Sequence, residues 1–260
     1  MNAQSMARVA RAYTRFLFSS GPGRPFITIG YDHRESSRRF AEIVSSVCRK
    51  EGAQVELFDH PVPTPLVSFA VWHQKRSGGI VITASHNPPE YNGFKIKEPW
   101  GGSARESTTS LVEALVKDQL DESVPSAELT VSVDSPAPEV EQAYFRRLGE
   151  LVDLQTIREA AIPAVVDSMH GTGGNLLARL LGDRFPSIKI IRSQPDASFG
   201  GTAPEPISKN FGPLRDAVRI GAADLGMALD GDADRLGALD ENGTNMTLQE
   251  VAPLLLHHLV

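Results

Sequence analysis

Short β-branched apolar runs alternate with longer stretches of helical period along the whole chain. Phe26-Ile27-Thr28-Ile29-Gly30, Val55 to Phe58 and Gly79 to Ile82 have the length and branching of buried strands. An early helix over Ala7 to Phe18 puts Val9, Ala10, Tyr13, Phe16 and Leu17 at helical spacing, and Gly21-Pro22-Gly23 ends it. Further helices are predicted over Ser36 to Lys50, Leu66 to Gln74 and Glu106 to Leu120, while Phe94-Lys95-Ile96-Lys97 alternates like a strand. From Asp121 to Glu139 the chain carries scattered prolines, serines and acids without a period, which marks a boundary.

Past that stretch the rhythm resumes. Tyr144, Phe145, Leu148, Leu151 and Val152 share a helical face, and Ala164-Val165-Val166 reads as a strand. A helix over Leu176 to Leu181, a strand over Ile188 to Ile191, a helix over Leu214 to Ile220 and strands over Leu225 to Leu229 and Leu236 to Leu239 follow. The closing helix, Leu248 to Val260, has Thr247 as N-cap with Glu250 as its capping-box partner. Strand and helix alternating in this way predict right-handed βαβ crossovers, hence an α/β protein of two tandem domains with mixed, mostly parallel sheets. The expected division is residues 1–138 and 139–260.

Composition narrows the partners. With 260 residues and 41% hydrophobic content, the chain can bury two cores of ordinary size. A formal net charge of −6 without basic runs argues against nucleic acid or an anionic membrane surface, so an anionic ligand needs a local positive pocket. Cys48, the single cysteine, lies in a helical apolar pattern and excludes an internal disulfide. The first twenty residues lack the apolar core and cleavage site of a secretory signal, and no run reaches membrane-spanning length, so a cytoplasmic location is expected.

Two loops carry the candidate chemistry. Thr83-Ala84-Ser85-His86-Asn87-Pro88-Pro89-Glu90-Tyr91-Asn92-Gly93 begins at the carboxyl end of a predicted parallel strand, where ligands of open α/β sheets collect. Its tandem prolines and Asn92-Gly93 turn predict a stiff loop that presents an exposed Ser85 hydroxyl, with Lys95 returning beside it. A serine–histidine nucleophile pair is one reading, but sequence neighbours rarely face each other and no G-x-S-x-G elbow is present. A proline-stiffened surface turn is the other. Lys97 is expected at the surface.

The second loop is Asp230-Gly231-Asp232-Ala233-Asp234-Arg235. Three carboxylates at alternate positions converge if the backbone is extended, and a hard divalent cation, Mg²⁺ first, relieves their repulsion while leaving sites for a phosphate. A calcium loop of the EF-hand type fits the acids but needs glycine where Arg235 stands, and the flanks read as strands. A solvated acidic hairpin is the chemically silent alternative. Other features carry less: His170-Gly171-Thr172-Gly173-Gly174 suits a structural turn better than a phosphate cradle, lacking the full dinucleotide or Walker pattern. Asp32 and Arg34 suit a local ion pair or solvent exposure, and adjacent His257 and His258 diverge on a helix.

The fifteen residues from Thr83 to Lys97 resemble the phosphoserine loop of the α-D-phosphohexomutases, the phosphoglucomutase and phosphomannomutase family. D-G-D-A-D-R is similar to that family's metal loop, and the likeness runs from about Val9 to the last residue. It implies two domains of the phosphohexomutase kind, with Ser85 phosphorylated and its phosphate completing a Mg²⁺ sphere with Asp230, Asp232 and Asp234. It also implies that Lys95 assists proton transfer from a sugar hydroxyl, that His86 helps hold the phosphate, and that Arg235 contributes positive charge. The implied reaction interconverts hexose 1-phosphate and 6-phosphate through hexose 1,6-bisphosphate. The F-G-T-D-G-x-R-G opening, the sugar-recognition loop and the C-terminal phosphate-binding domain of the family find no match here. An incomplete N-terminal half is therefore expected, with little turnover alone and its C-terminal domains in the same or another chain. A Mg²⁺-dependent phosphohydrolase and a non-catalytic fragment that holds metal or phosphate are the competing readings.

Overall fold

The computed structural model describes residues 1–117, 135–136 and 138–259. The predicted helical residues 118–120, most of the aperiodic stretch and Val260 of the predicted closing helix lie outside the described residues, and the expected boundary at 138/139 lies beside them. By its internal contacts the chain divides into a first unit, Met1–Ala84 with Glu90–Arg147, and a second, Ser85–Pro89 with Leu148–Val260.

In the first unit, helix α1 (Ala3–Ser20) opens on Asn2, whose side chain accepts the backbone N–H of Ser5 at 2.9 Å as an N-cap. Its stripe of Met6, Ala10, Tyr13 and Leu17 is buried, as the spacing requires. Strand β1 (Phe26–Tyr31), helix α2 (Ser37–Lys50), strand β2 (Gln54–Leu57), helix α3 (Thr64–His73), strand β3 (Gly78–Ile82), strand β4 (Phe94–Lys97) and helix α4 (Glu106–Lys117) follow. The sheet order is β2-β1-β3-β4, with β1 parallel to both neighbours and β4 antiparallel to β3. Ile27, Ile29, Ile80 and Ile82 are fully buried against Met6, Tyr13, Val44 and Cys48. Each such side chain contributes roughly 1.5–3 kcal/mol by leaving water.

The second unit has the same plan. Helix α5 (Glu139–Leu151) leads into it, followed by helix α6 (Leu154–Ala160), strand β5 (Ala164–Asp167), helix α7 (Gly173–Leu181), strand β6 (Ile188–Ile191) and helix α8 (Gly212–Gly221). Strands β7 (Leu225–Leu229), β8 (Leu236–Leu239) and β9 (Asn245–Met246) and helix α9 (Leu248–Leu259) complete it. The order β6-β5-β7-β8-β9 again has two parallel pairs at one side and antiparallel pairing at the other. Val165, Met169, Phe211, Leu214, Val218, Ala228 and Leu239 form its core.

In each sheet the first strand sends one connection to its left neighbour and finds the third strand on its right. The crevice at the carboxyl ends of β1 and β3, and likewise of β5 and β7, is a topological switch point where loops of opposite direction part. Asp32 and Thr83 sit at the first; Ser168 and Asp230 sit at the second.

Lys97 corrects the surface expectation: it is 5% exposed. Its strand is covered by the turn that brings Ser103 into a bridge with it, and its carbonyl accepts the Tyr13 hydroxyl at 3.3 Å. No helix among the described residues is long and apolar enough to cross a membrane.

Candidate functional site

The connection from β7 to β8 is the D-G-D-A-D-R loop, a hairpin turn between antiparallel strands, which removes the helix-flanked EF-hand reading. Asp230 Oδ1 accepts the backbone N–H groups of Asp234 and Arg235 at 3.0 and 3.1 Å, folding the loop around its own first carboxylate. One ligand oxygen from each of Asp230, Asp232 and Asp234 lies within 4.8 Å of the others. Asp230 and Asp232 are wholly buried while Asp234 is exposed, so two of the three acids are withdrawn from solvent, unlike those of a solvated hairpin. Burial first, and the neighbouring charge of Asp232 next, push the Asp230 carboxyl up to about 7.

Ser85 belongs to the same unit, and its Oγ donates to Asp230 Oδ2 at 2.6 Å. The expected exposed hydroxyl is instead 5% exposed, and its backbone takes a left-handed conformation with φ of 54°. That conformation turns the side chain toward Asp230, 145 residues further along. His86 Nδ1 accepts from Arg235 Nη1 at 2.8 Å, since a guanidinium can only donate. That leaves its Nε2, 4.0 Å from Glu205 Oε1, as the N–H of the ring. Ser85, His86, Asp230 and Arg235 thus stand together, with Asp232 and Asp234 in the same cluster. Lys95 is half-buried on β4 of the first unit, paired with Val81.

Two glycines make the packing possible. A Cβ at Gly231 would lie 2.8 Å from the Ser85 carbonyl oxygen and 3.0 Å from Pro204. One at Gly171 would lie 2.7 Å from the Gly231 carbonyl oxygen, and the next residue, Thr172, donates its backbone N–H to that same oxygen at 3.0 Å. The His170–Gly174 turn therefore buttresses the acidic loop, in keeping with a structural role. Sequence reasoning noticed this turn but missed what it supports, and it passed over Glu205, an isolated acid with no motif around it.

The arrangement suits a hard cation: three convergent carboxylates, two of them without solvent to disperse their charge, need a positive centre with oxygen preference. Comparison with known proteins supplies the family. The model described as phosphoglucomutase/phosphomannomutase alpha/beta/alpha domain I matches residues 1–122, and that of alpha/beta/alpha domain II matches residues 142–243. The chain belongs to the phosphoglucomutase/phosphomannomutase family.

Among its relatives, the phosphoglucomutase/phosphomannomutase of Thermococcus kodakarensis is 32% identical over 91% of this chain and 51% of its own length. A Staphylococcus epidermidis phosphoglucomutase is 31% identical over 93% of this chain and 46% of its own length. A Thermus thermophilus crystal structure assigned to phosphomannomutase superimposes with a TM-score of 0.84 at 33% identity, covering 100% of this chain and 58% of that one. The fold recurs in the Paramecium parafusin structure, at a TM-score of 0.74 and 19% identity over 92% of this chain and 50% of that one. The chain thus spans about half the length of the curated relatives that it matches. Residues 83–97, the serine loop, lie inside the stretch that the domain I model matches, and residues 230–235, the acidic loop, inside the stretch that the domain II model matches.

Proposed function

We propose that the chain carries the phosphoserine and metal machinery of a phosphohexomutase, with residues 1–138 as domain I and residues 139–260 as domain II. The observation that carries this reading is the 2.6 Å hydrogen bond from Ser85 Oγ to Asp230 Oδ2, which sets the one candidate phosphoryl carrier against the carboxylate cluster. Asp230, Asp232 and Asp234 would hold Mg²⁺, together with an oxygen of the phosphate on Ser85. When bound, the ion would withdraw charge from the phosphoryl group as a Lewis acid.

The remaining groups of this chain divide the work. Phosphoryl transfer asks a protein mainly for positioning and for charge stabilisation. The P–O bond to Ser85 Oγ breaks as one forms to a free hydroxyl of a hexose monophosphate; the hydroxyl proton passes to the amine of Lys95, its proposed acceptor, and Ser85 Oγ takes up a proton from solvent as it leaves, which restores the hydroxyl that donates to Asp230. Arg235 supplies positive charge, and its bond to His86 orients that ring beside Ser85. Hexose 1,6-bisphosphate is the intermediate, and return of its other phosphate to Ser85 completes the interchange. Since the chain spans half of its relatives, sugar recognition is proposed to draw on further domains in the same or another chain.

Incubation with glucose 1,6-bisphosphate and Mg²⁺, followed by peptide mass analysis, tests the reading. It expects phosphate on Ser85 and release of hexose monophosphate. Phosphate on another residue with Ser85 bare would refute it.

A further inference from the structure

Asp32 is completely buried at the switch point of the first sheet, and four donors converge on its carboxylate. Arg34 gives its backbone N–H to Oδ1 at 3.1 Å and its Nε–H to Oδ2 at 3.0 Å. The Ser37 hydroxyl donates to Oδ1 at 2.5 Å and the Thr83 hydroxyl to Oδ2 at 2.7 Å. An ionised carboxylate can accept about four hydrogen bonds, so the site is saturated by donors. The Arg34 side chain is as buried as its partner, and its Nη1 donates to the Tyr91 carbonyl at 3.2 Å. Asn92 Nδ2 donates to the Ser36 and Ser37 hydroxyls at 2.9 Å each, and the Thr83 N–H reaches the Gly93 carbonyl at 3.2 Å.

These bonds have a single geometric result. Thr83 is where the chain leaves β3, and Tyr91 to Gly93 is where it comes back to β4. One buried ion pair thereby ties down both ends of the segment that carries Ser85 and His86. A bare salt bridge would not be selected for stability in such a place, because desolvating two charges costs about as much as their attraction returns. A fully satisfied buried network does impose one geometry, which is what a transferring group requires.

We propose that Asp32 and Arg34, through Thr83, Ser37 and Asn92, are positioning residues for phosphoryl transfer at Ser85. They touch neither substrate nor metal; they fix the two anchors of the serine loop. This inference rests on the phosphohexomutase reading for its catalytic consequence, while its structural content stands apart from it.

The test uses the 260-residue chain with Thr83→Val, Thr83→Ser and Asp32→Asn. Thr83→Val keeps the shape and deletes one hydroxyl at an anchor; Thr83→Ser restores it. Asp32→Asn sets an amide N–H₂ against hydroxyl and guanidinium donors. Two readouts are taken on each: the initial rate of Ser85 phosphorylation by glucose 1,6-bisphosphate with Mg²⁺, and hydrogen exchange of the Thr83 amide. Thr83→Val is expected to slow phosphorylation by about tenfold and Asp32→Asn by about a hundredfold, the scale of a misplaced reacting group. Mg²⁺ affinity by calorimetry should stay within about twofold for Thr83→Val, and Thr83→Ser should recover the rate, which a general loss of structure would not allow. Protection of the Thr83 amide should fall at least about tenfold in both damaging variants. Wild-type exchange at Thr83 in folded Asp32→Asn would overturn the inference whether or not Ser85 accepts phosphate. So would phosphorylation of both variants at the wild-type rate. A wild-type chain that keeps Ser85 bare, yet loses Thr83 protection on mutation, would defeat the phosphohexomutase reading and leave the anchor intact.

Discussion

Replacing Asp230 by Asn should stabilise the metal-free chain, and the gain should depend on pH in a defined way. The carboxyl moves from an ordinary 3.8 to about 7 because it is buried and because Asp232 stands beside it. Between those values the native chain holds a proton that the unfolded chain has released, so stability falls as pH rises across the window, and the penalty is complete above about 7. At about 1.36 kcal/mol for each pH unit the ceiling is about 4 kcal/mol. Part of this survives mutation, because an amide in the same place is still buried. Its oxygen can keep the N–H groups of Asp234 and Arg235, and its N–H₂ can face Ser85 Oγ. A net gain of about 2 kcal/mol follows, or about 4–8 °C in the melting temperature of an independently unfolding unit. The assay is thermal and urea unfolding of both proteins in EDTA at pH 4, 6 and 8. The gain should be largest at pH 8 and vanish near pH 4, where the wild-type carboxyl is itself neutral. With Mg²⁺ the order should reverse, since only the wild type gains from the ion. Equal gains at pH 4 and pH 8, or none at pH 8, would show that ionising Asp230 in its buried place does not cost the fold stability.

Gly171→Ala should cost about 1–3 kcal/mol and weaken Mg²⁺ by at least about tenfold, read by melting and calorimetry, because its Cβ would press on the Gly231 carbonyl oxygen at 2.7 Å. Arg235→Ala should slow Ser85 phosphorylation while Ser85 remains reactive, since the substitution frees His86 Nδ1 without touching the serine; the initial rate decides this. His60 is held on both sides, by Asp59 Oδ1 at 2.7 Å and Glu141 Oε1 at 2.8 Å, and the Glu141 bond, followed by the Asp59 bond, outweighs burial and raises its pKa. His33, pushed down to about 4 by its own burial and by His60, stays neutral across the range and is the other titratable neighbour. The contribution of His60 is therefore complete below about 6.5 and is lost as pH rises through its folded value. Exchange protection in the first turn of α5 should decline from pH 5.5 to 8 in the wild type beyond the intrinsic rate, and should be flat in His60→Gln.

Much of the fold was legible because each unit buries strands on both faces and helices on one. Ile80-Val81-Ile82 and Ala164-Val165-Val166 could hardly be anything but central strands, and the Val9, Ala10, Tyr13, Phe16 and Leu17 spacing marked a helix packed on one side, whose buried stripe begins earlier, at Met6. The expected helix at Leu176 began earlier, at Gly173, because the glycine turn runs directly into it. Helix α6 and strand β9 went unpredicted, one with no buried residue to give it a period and the other only two residues long. Spacing brought Asp230, Asp232 and Asp234 together only on the condition of an extended backbone and left a solvated hairpin open; they converge instead through a turn folded on Asp230, with Ala233 at a φ of 56°. The burial of Ser85 was not, since it depends on a left-handed backbone and on a partner distant in sequence, and local proline chemistry suggests an exposed loop instead. Asp32 and Arg34 read as a local ion pair or as solvent-exposed; they form the ion pair and are buried, and their reach to Thr83 and Tyr91 exists only once β1 and β3 are adjacent.

The central claim is that phosphate on Ser85 is destined for a sugar hydroxyl. The direct measurement is single turnover: the chain is labelled on Ser85 with ³²P, freed of donor, and mixed with Mg²⁺ in the presence or absence of glucose 1-phosphate. The account predicts label in glucose 1,6-bisphosphate when the sugar is present and retention on Ser85 when it is absent. Label released as inorganic phosphate at the same rate with and without sugar would contradict it and make water the acceptor.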